Sequence, residues 1–354
     1  MRKVLLGMAS TAGLMLAALP AQALEPDVNL SGTFALSLSY FNSDSALGRY
    51  SDTEMANNAS NFRLTAAAQE VGLRAFVAYE RGASNDSQNI EEVREFFGGV
   101  GGKYGTVIYG RKGTDYKLSG ERLDPFYNTS VAGFNGQFAG NVNDNLPTAE
   151  GAGYGLSNLT NGFTSNTLSY RSPALYGFGG NVAVYINDGD TRTGDDADYA
   201  LGLGYANSDW LGLDVGVQAL SINGNVVTNS PGDGQAYRVH GSIGEKLWAV
   251  GVSFEIVDVD AERDARQYGF VSGSYQLLQD LRLAAAYGNV SNTGTAPGAP
   301  PSANFDGNGI TLGAFYDLTK NLSSYAALRY VKLDDNNEDE TITAATVKSS
   351  LWPA

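Results

Sequence analysis

Apolar and polar side chains alternate with a period of two along most of this chain. In Leu30-Ser31-Gly32-Thr33-Phe34-Ala35-Leu36-Ser37-Leu38-Ser39-Tyr40, Leu30, Phe34, Leu36, Leu38 and Tyr40 share one face, and Ser31, Thr33, Ser37 and Ser39 the other. Successive side chains of an extended strand point to opposite sides, so the pattern predicts a strand with one greasy and one wet face. The same rhythm runs through Leu211 to Gln218, Trp248 to Ile256 and Leu281 to Tyr287, where Asp214, Gln218, Glu255 and Arg282 stand opposite the apolar row. A soluble sandwich and a membrane barrel share this alternation, which by itself leaves open the face that turns outward.

Short turn signals interrupt the strands at Gln69-Glu70, Gly101-Gly102-Lys103, Gly177-Phe178-Gly179-Gly180, Asn207-Ser208-Asp209, Gly244-Glu245-Lys246, Leu278-Gln279-Asp280 and Asp317 to Asn321. These seven turns, each flanked by two alternating segments, give fourteen strands, and the segments near Leu30 to Tyr40 and Thr341 to Trp352 make sixteen. Bacterial single-chain barrels have even strand numbers. Longer polar stretches, Asp188 to Asp198, Asn223 to Gly234, Asn292 to Asp306 and Asp334 to Glu340, fall between the other strand ends. Tight turns on one rim and long loops on the other are the pattern of outer-membrane barrels. With no linker or composition break after residue 23, the expectation is one all-β domain over residues 24–354, a sixteen-stranded antiparallel transmembrane β-barrel.

The N-terminus agrees with export. Arg2 and Lys3 precede an apolar run from Val4 to Leu19, then Pro20 and Ala21-Gln22-Ala23, which reads as a cleaved signal peptide over residues 1–23. That run is shorter than the roughly 20 residues of a spanning helix. With no cysteine, no disulfide framework is available, so stability rests on the backbone ladder and packing. Glycine (44), tyrosine (20) and phenylalanine (15) are abundant, yet mean hydropathy is only -0.20, as expected when alternate side chains meet lipid and the rest line a polar interior.

The formal charge is -15, and loss of Arg2 and Lys3 with the signal leaves 21 basic against 38 acidic residues, a balance that repels nucleic acid. His240, the single histidine, lies between Val239 and Gly241 and reads as a lumenal strand residue. Without cysteine or a histidine-rich set, neither a thiol nucleophile nor a transition-metal centre is expected. Gly98 to Lys103 has Phe97 where a phosphate loop needs glycine and Tyr104 where it needs Ser or Thr. The acidic runs Asp195-Asp196-Ala197-Asp198 and Asp334 to Glu340 suit calcium by ligand type but lack an organised loop signature, so they read as solvated charge. The expectation is a protein without catalytic residues or a cofactor.

About fifty residues separate Gly105-Thr106-Val107-Ile108-Tyr109-Gly110-Arg111 from the next convincing strand at Asn166-Thr167-Leu168-Ser169-Tyr170. A connection of that length is usually functional. Here the residues resemble the general diffusion porins of Gram-negative outer membranes. The resemblance is carried by Val93-Arg94-Glu95-Phe96-Phe97-Gly98-Gly99, by Lys103-Tyr104-Gly105-Thr106 with the strand that follows, and by Leu168-Ser169-Tyr170-Arg171-Ser172-Pro173 running into Tyr176-Gly177-Phe178.

What the resemblance implies is a loop, here roughly Lys112 to Asn145, folded into the barrel and presenting Asp115, Glu121 and Asp124 toward basic side chains on the facing wall. Arg63 and Arg94 match the family's lumenal arginines. Parity agrees for Arg63, between the lipid-side Phe62 and Leu64, and by the same test Arg74 points inward. The resemblance further implies a homotrimer among outer-membrane lipids and lipopolysaccharide, passing small hydrophilic solutes and ions by passive diffusion. The acidic balance suggests a mild cation preference. A substrate-selective porin and a plugged structural or adhesive barrel are the alternatives. The chain departs from the family's aromatic last residue, finishing Leu351-Trp352-Pro353-Ala354, which puts the pairing of first and last strands in question.

Overall fold

A computed structural model describes residues 26–45, 48–58, 60–83, 93–132, 163–186, 197–222, 233–259, 264–291, 306–333 and 338–350. The signal segment, the Trp352-Pro353-Ala354 ending and most of the two acidic runs lie outside them, and the expected inward loop is described as far as residue 132. The first strands are β1 (Asp27–Ser45), β2 (Gly48–Asn57), β3 (Asn61–Glu70), β4 (Leu73–Gly82), β5 (Val93–Gly102) and β6 (Gly105–Gly113). A short helix α1 (Asp115–Glu121) follows, then β7 (Phe163–Arg171), β8 (Phe178–Tyr185), β9 (Asp198–Asn207), β10 (Leu213–Ile222) and β11 (Gly234–Glu245). The chain continues with β12 (Trp248–Val259), β13 (Arg266–Leu278), β14 (Leu281–Ser291), β15 (Gly307–Thr319), β16 (Leu322–Leu333) and β17 (Glu338–Ser350).

All seventeen described segments belong to one antiparallel sheet. β2 and β3 are two parts of one stave, because both pair with β1: β3 from Asp27 opposite Ala67 to Thr33 opposite Asn61, and β2 from Leu36 opposite Asn57 to Ser45 opposite Gly48. Between them the register slips by one residue at 58–60, where the Ala35 carbonyl accepts from the Asn58 amide at 2.8 Å and the Ala35 amide donates to Ser60 Oγ at 2.9 Å. That is a β-bulge whose unpaired groups are satisfied locally. The described residues therefore form sixteen staves, as the turn count predicts. The sheet closes on itself, β1 pairing with β17 from Thr33 opposite Ser350 to Asp44 opposite Asp339, so the unusual ending leaves the first-to-last pairing intact.

The apolar face is the outer one. Phe34 and Leu38 are 49% and 55% exposed, whereas Ser37 and Ser39 between and beside them are 2% and 0% exposed. The same inversion recurs in Leu201 and Leu203 of β9, Val239 of β11 and Val252 and Phe254 of β12, all exposed. Such a surface is stable only against hydrocarbon or another protein. Aromatic side chains of this face pack in pairs, including Phe62 with Tyr79 and Tyr79 with Phe96 at ring-centroid separations of 6.4 and 6.1 Å.

Two predicted turns move. The β3–β4 reversal lies at Val71-Gly72 rather than Gln69-Glu70, with φ of 48° and 78°. Positive φ at both central residues gives the twist that suits a two-residue hairpin, and Gly72 adopts it freely while Val71 is held there by the flanking register. Phe178 to Gly180 lie inside β8, not in a turn; the reversal uses Tyr176 and Gly177, also at positive φ, and Phe178 stacks outward on Tyr205 at 4.7 Å.

Inside the barrel, the residues after β6 supply the core. Tyr116 sits among Ala183, Tyr185, Leu220, Ala236, Val257 and Tyr268, and a second cluster gathers Leu123, Phe126 and Val131 against Phe270, Ala284, Tyr325 and Ala327. The loop is thus packed on the wall like a domain core.

Candidate functional site

The inward segment begins with a capped helix. Thr114 is in an extended conformation and its Oγ1 accepts the Lys117 amide at 3.0 Å, which satisfies one of the free amides at the start of α1. Past the helix, Asp124 turns the chain: its Oδ1 accepts the Phe126 amide at 2.9 Å across Pro125.

A series of side chains from successive staves then ties this segment to the wall. From β7, Arg171 donates to the Asp115 carboxylate through Nε at 3.1 Å and again through Nη2, and Lys112 of β6 reaches the same oxygen at 3.0 Å. From β11, the fully buried Arg238 donates Nη1 to the Tyr116 carbonyl at 2.7 Å and to Ser119 Oγ at 3.0 Å, while its Nη2 meets Glu255 of β12 at 2.8 Å. Tyr116 closes this knot by donating its hydroxyl to Glu255 at 3.0 Å and laying its ring 4.5 Å from the Arg238 guanidinium carbon. Glycine at residue 120 leaves room for this guanidinium, since a Cβ would stand 2.7 Å from Arg238 Nη1 and push it from its partners. Arg122 grips Asp214 of β10 with two bonds of 2.7 and 2.8 Å and donates to Nδ1 of His240 at 2.8 Å. Farther round, Ser272 of β13 donates to the Leu123 carbonyl, Ser130 bonds both Ser39 of β1 and Tyr325 of β16, and Arg329 of β16 donates to the Ala132 carbonyl at 3.1 Å.

The sector from β3 to β5 carries instead a charged array that faces the helix. Arg63 Nη1 lies 2.7 Å from Glu80 and 2.5 Å from Glu95, and Arg94 Nε is 3.4 Å from the other oxygen of Glu80. Arg94 and Glu95 are adjacent yet both turn inward, because the β4–β5 register slips between Glu80 and Arg81 and leaves Arg94 as a bulge residue. On the loop side, Lys117 pairs with Glu121 at 2.8 Å and lies 4.1 Å from the Phe163 ring centroid, while Tyr127 donates its hydroxyl to Glu121 at 2.6 Å. Arg94 lies over the same Phe163 ring at 5.2 Å, so wall and loop meet around one aromatic side chain.

The charges of the loop are set by its packing. Burial pushes the Asp115 carboxyl upward, but the Arg171 hydrogen bond and the Lys112 charge outweigh it and hold the group below the ordinary carboxylate value. Burial pulls Lys117 down, with Glu121 opposing it. Tyr127 is pushed far above the usual phenol value, by burial first and the Glu121 carboxylate second, so it stays a donor.

Of the residues expected from sequence, Arg63, Arg94, Asp115 and Glu121 are all held in the interior by named partners, and Asp124 serves the loop backbone. Arg74 stands apart: it is exposed, opposite Gln69 and Gly101 near the tight-turn rim, with its guanidinium 5.8 Å from the Phe76 ring centroid. Six residues separate it from Glu80, roughly 20 Å along a strand. Glu80 shares the parity of Arg74 and was legible by the same test. Glu95 was hidden by the bulge, and Lys117, Tyr127 and Arg238 become partners only through the path of the loop.

Residues 9–336 match the model of a family described as Gram-negative porin. Among solved structures, the chain is similar to the anion-selective porin from Comamonas acidovorans, at 16% identity and a TM-score of 0.71 over 92% of this chain and 100% of that one. It is similar also to OmpT, an outer membrane protein of Vibrio cholerae, in its trimer form (15% identity, TM-score 0.64, 92% and 99% covered). A third similar structure is Salmonella typhi OmpF in complex with daunomycin (17% identity, TM-score 0.61, 91% and 97% covered). Nothing among curated protein sequences matches the chain.

Proposed function

The chain belongs to the Gram-negative porin family, and from that membership we propose that it is a diffusion channel whose eyelet lies between the loop groups Glu121 and Tyr127 and the wall groups Arg63, Glu80, Arg94 and Glu95. It is an outer-membrane β-barrel that crosses the bilayer with its strands. The observation that carries the proposal is the belt of bonds from β7 round to β16 and β1, which presses the loop on one wall and leaves this charged array on the other. Ions and small hydrophilic solutes pass down their gradients, sieved by the size of the gap and biased by its charges. The protein works as a homotrimer, in keeping with the trimer form of the similar OmpT structure; its partners are membrane lipids and lipopolysaccharide outside and solutes within.

The preference is mildly for cations. The wall and loop charges of the eyelet are largely compensated within ion pairs, so they polarise the gap more than they charge it. The acid excess of the chain falls instead largely between the strands, as in residues 187–196 and 334–337. A mouth of that sign concentrates cations without excluding anions. The decisive experiment is single-channel recording of detergent-purified protein in a planar bilayer, with the reversal potential read under a salt gradient. Large, near-ohmic steps closing in thirds and reversing toward the cation side are expected. Silence from folded, inserted protein would overturn the channel and favour a plugged structural barrel.

A further inference from the structure

We propose that Arg282 forms a binding subsite for small carboxylate solutes with a flat apolar body, beneath the loop on the wall opposite the charged array. This rests on the lumen being open to solutes, as argued above. The interior arginines so far described are engaged: Arg63, Arg94, Arg122, Arg171 and Arg238 by carboxylates, and Arg329 by a carbonyl. Arg282 differs. Among the described residues no hydrogen bond or ion pair reaches its guanidinium, which lies 4.2 Å from the Phe315 ring centroid. A guanidinium whose carbon lies over a ring still has N–H donors to give, and its paired N–H groups match the two oxygens of a carboxylate.

The surroundings fit such a ligand. Arg282 borders two lumenal cavities, of about 220 and 360 Å³. The smaller one is walled by Phe315, Tyr127 and Pro125, with Asn128 and Ser323 as polar groups at its edge. Its volume lies below that of drug-sized pockets and suits a single small ring. Phe315 is itself braced between Phe126 at 5.7 Å and Tyr325 at 5.6 Å, so the stacking surface is held by the loop on one side and the wall on the other. Asp317 lines the same cavity but makes no ion pair with Arg282 among the described residues, and it disfavours dianions more than monoanions. The chemistry is thus that of an aromatic monocarboxylate, with the ring against aromatic walls and the carboxylate on Arg282.

Benzoate is the probe, with acetate (charge without the ring) and benzamide (the ring without charge) beside it. In planar-bilayer recordings benzoate is expected to block the open channel at least tenfold more strongly than either control. Arg282→Gln should weaken that block at least tenfold while the unblocked conductance stays within twofold. Phe315→Leu, which keeps the charge, should weaken it several-fold and serves if Arg282→Gln fails to insert. Equal block by acetate or benzamide, or unchanged block in Arg282→Gln, would overturn the subsite. Saturation-transfer NMR of benzoate on the detergent-purified protein reads binding without conduction. A silent bilayer with Arg282-dependent saturation transfer would sink the channel and keep the subsite, whereas an open channel with no benzoate effect in either measurement would do the reverse.

Discussion

Single residues in this protein act through what they anchor. Arg238 and Glu255 are both fully buried, and their pair also holds the Tyr116 carbonyl, Ser119 and the Tyr116 hydroxyl. Removing one member of a buried pair strands the other, at about 3–5 kcal/mol. Arg238→Ala should therefore lower the unfolding midpoint of the purified barrel and add noise to the open-channel current, both read against wild type in the same detergent. Asp115 gives a pH dependence of definite sign. Its folded-state value is depressed, so its ionised form stabilises the start of the loop; that contribution is complete above about pH 4 and is lost as pH falls through the lower folded-state value. Acidification into that range should destabilise the open current, and Asp115→Asn should remove this acid-dependent component while making the channel noisier at neutral pH. At this scale the sequence was half legible. Parity put Arg63 on the face opposite Phe62 and Leu64, hence inside once the chain is read as a membrane barrel, but it could not show that Arg74 would end near the rim or that Glu95 would turn inward beside Arg94.

Strands and loop divide the work between them. The strands carry the alternation, so a lipid-side position and its lumenal neighbour respond differently to charge. Val239→Arg, on the exposed face of β11, should cost about 2–4 kcal/mol if it lies near the bilayer midplane, and less toward either rim. Folding yield into vesicles, followed by heat-modifiable gel mobility, measures it. In the eyelet proposed above, the loop and the β3–β5 wall supply the short-range part of the selectivity. Two unit charges roughly 8 Å apart in water interact by about 0.5 kcal/mol, close to a twofold bias in flux, with more where the low-dielectric wall focuses the field. Replacing Arg63 and Arg94 with glutamine should shift the reversal potential toward the cation side, and Glu121→Gln should shift it the other way. Asp124→Asn keeps an oxygen to accept the Phe126 amide and should change selectivity less than Glu121→Gln. If neither the arginine pair nor Glu121 moves the reversal potential, the eyelet lies elsewhere in the lumen.

For the whole molecule, closure of the sheet is the main consequence of the fold. The β1–β17 pairing leaves no edge strand among the described residues, as a membrane-spanning sheet requires because hydrocarbon offers no partners to unpaired backbone groups. The cation preference proposed above draws on the acid excess of the sequence between strands, as at residues 187–196, and such a preference has a long-range part. Charges at a mouth are screened over about 8 Å at physiological ionic strength and over about 3 Å at 1 M salt. The cation preference should therefore weaken steeply as salt is raised, while the unitary conductance rises with it. A preference independent of ionic strength would assign selectivity to the short-range array at Arg63, Glu80, Arg94 and Glu95 instead.

The alternation in segments such as Leu30 to Tyr40, and the spacing of turns between them, determined the class of sheet and the number of staves, because period-two patterning and turn chemistry are local properties of a chain. The bulges at 58–60 and at Arg94 escaped that reading, since a one-residue slip depends on what lies across the ladder. Which face turns outward was decided by tertiary structure: Ser37 and Ser39 become buried and Phe34 and Leu38 exposed only once the sheet closes round a folded-in loop. The lumenal array was decided there too. Lys117 meets Arg94 around Phe163, and Tyr127 reaches Glu121, only through a loop whose course is fixed by the packing of Tyr116 and Phe126 on the inner wall.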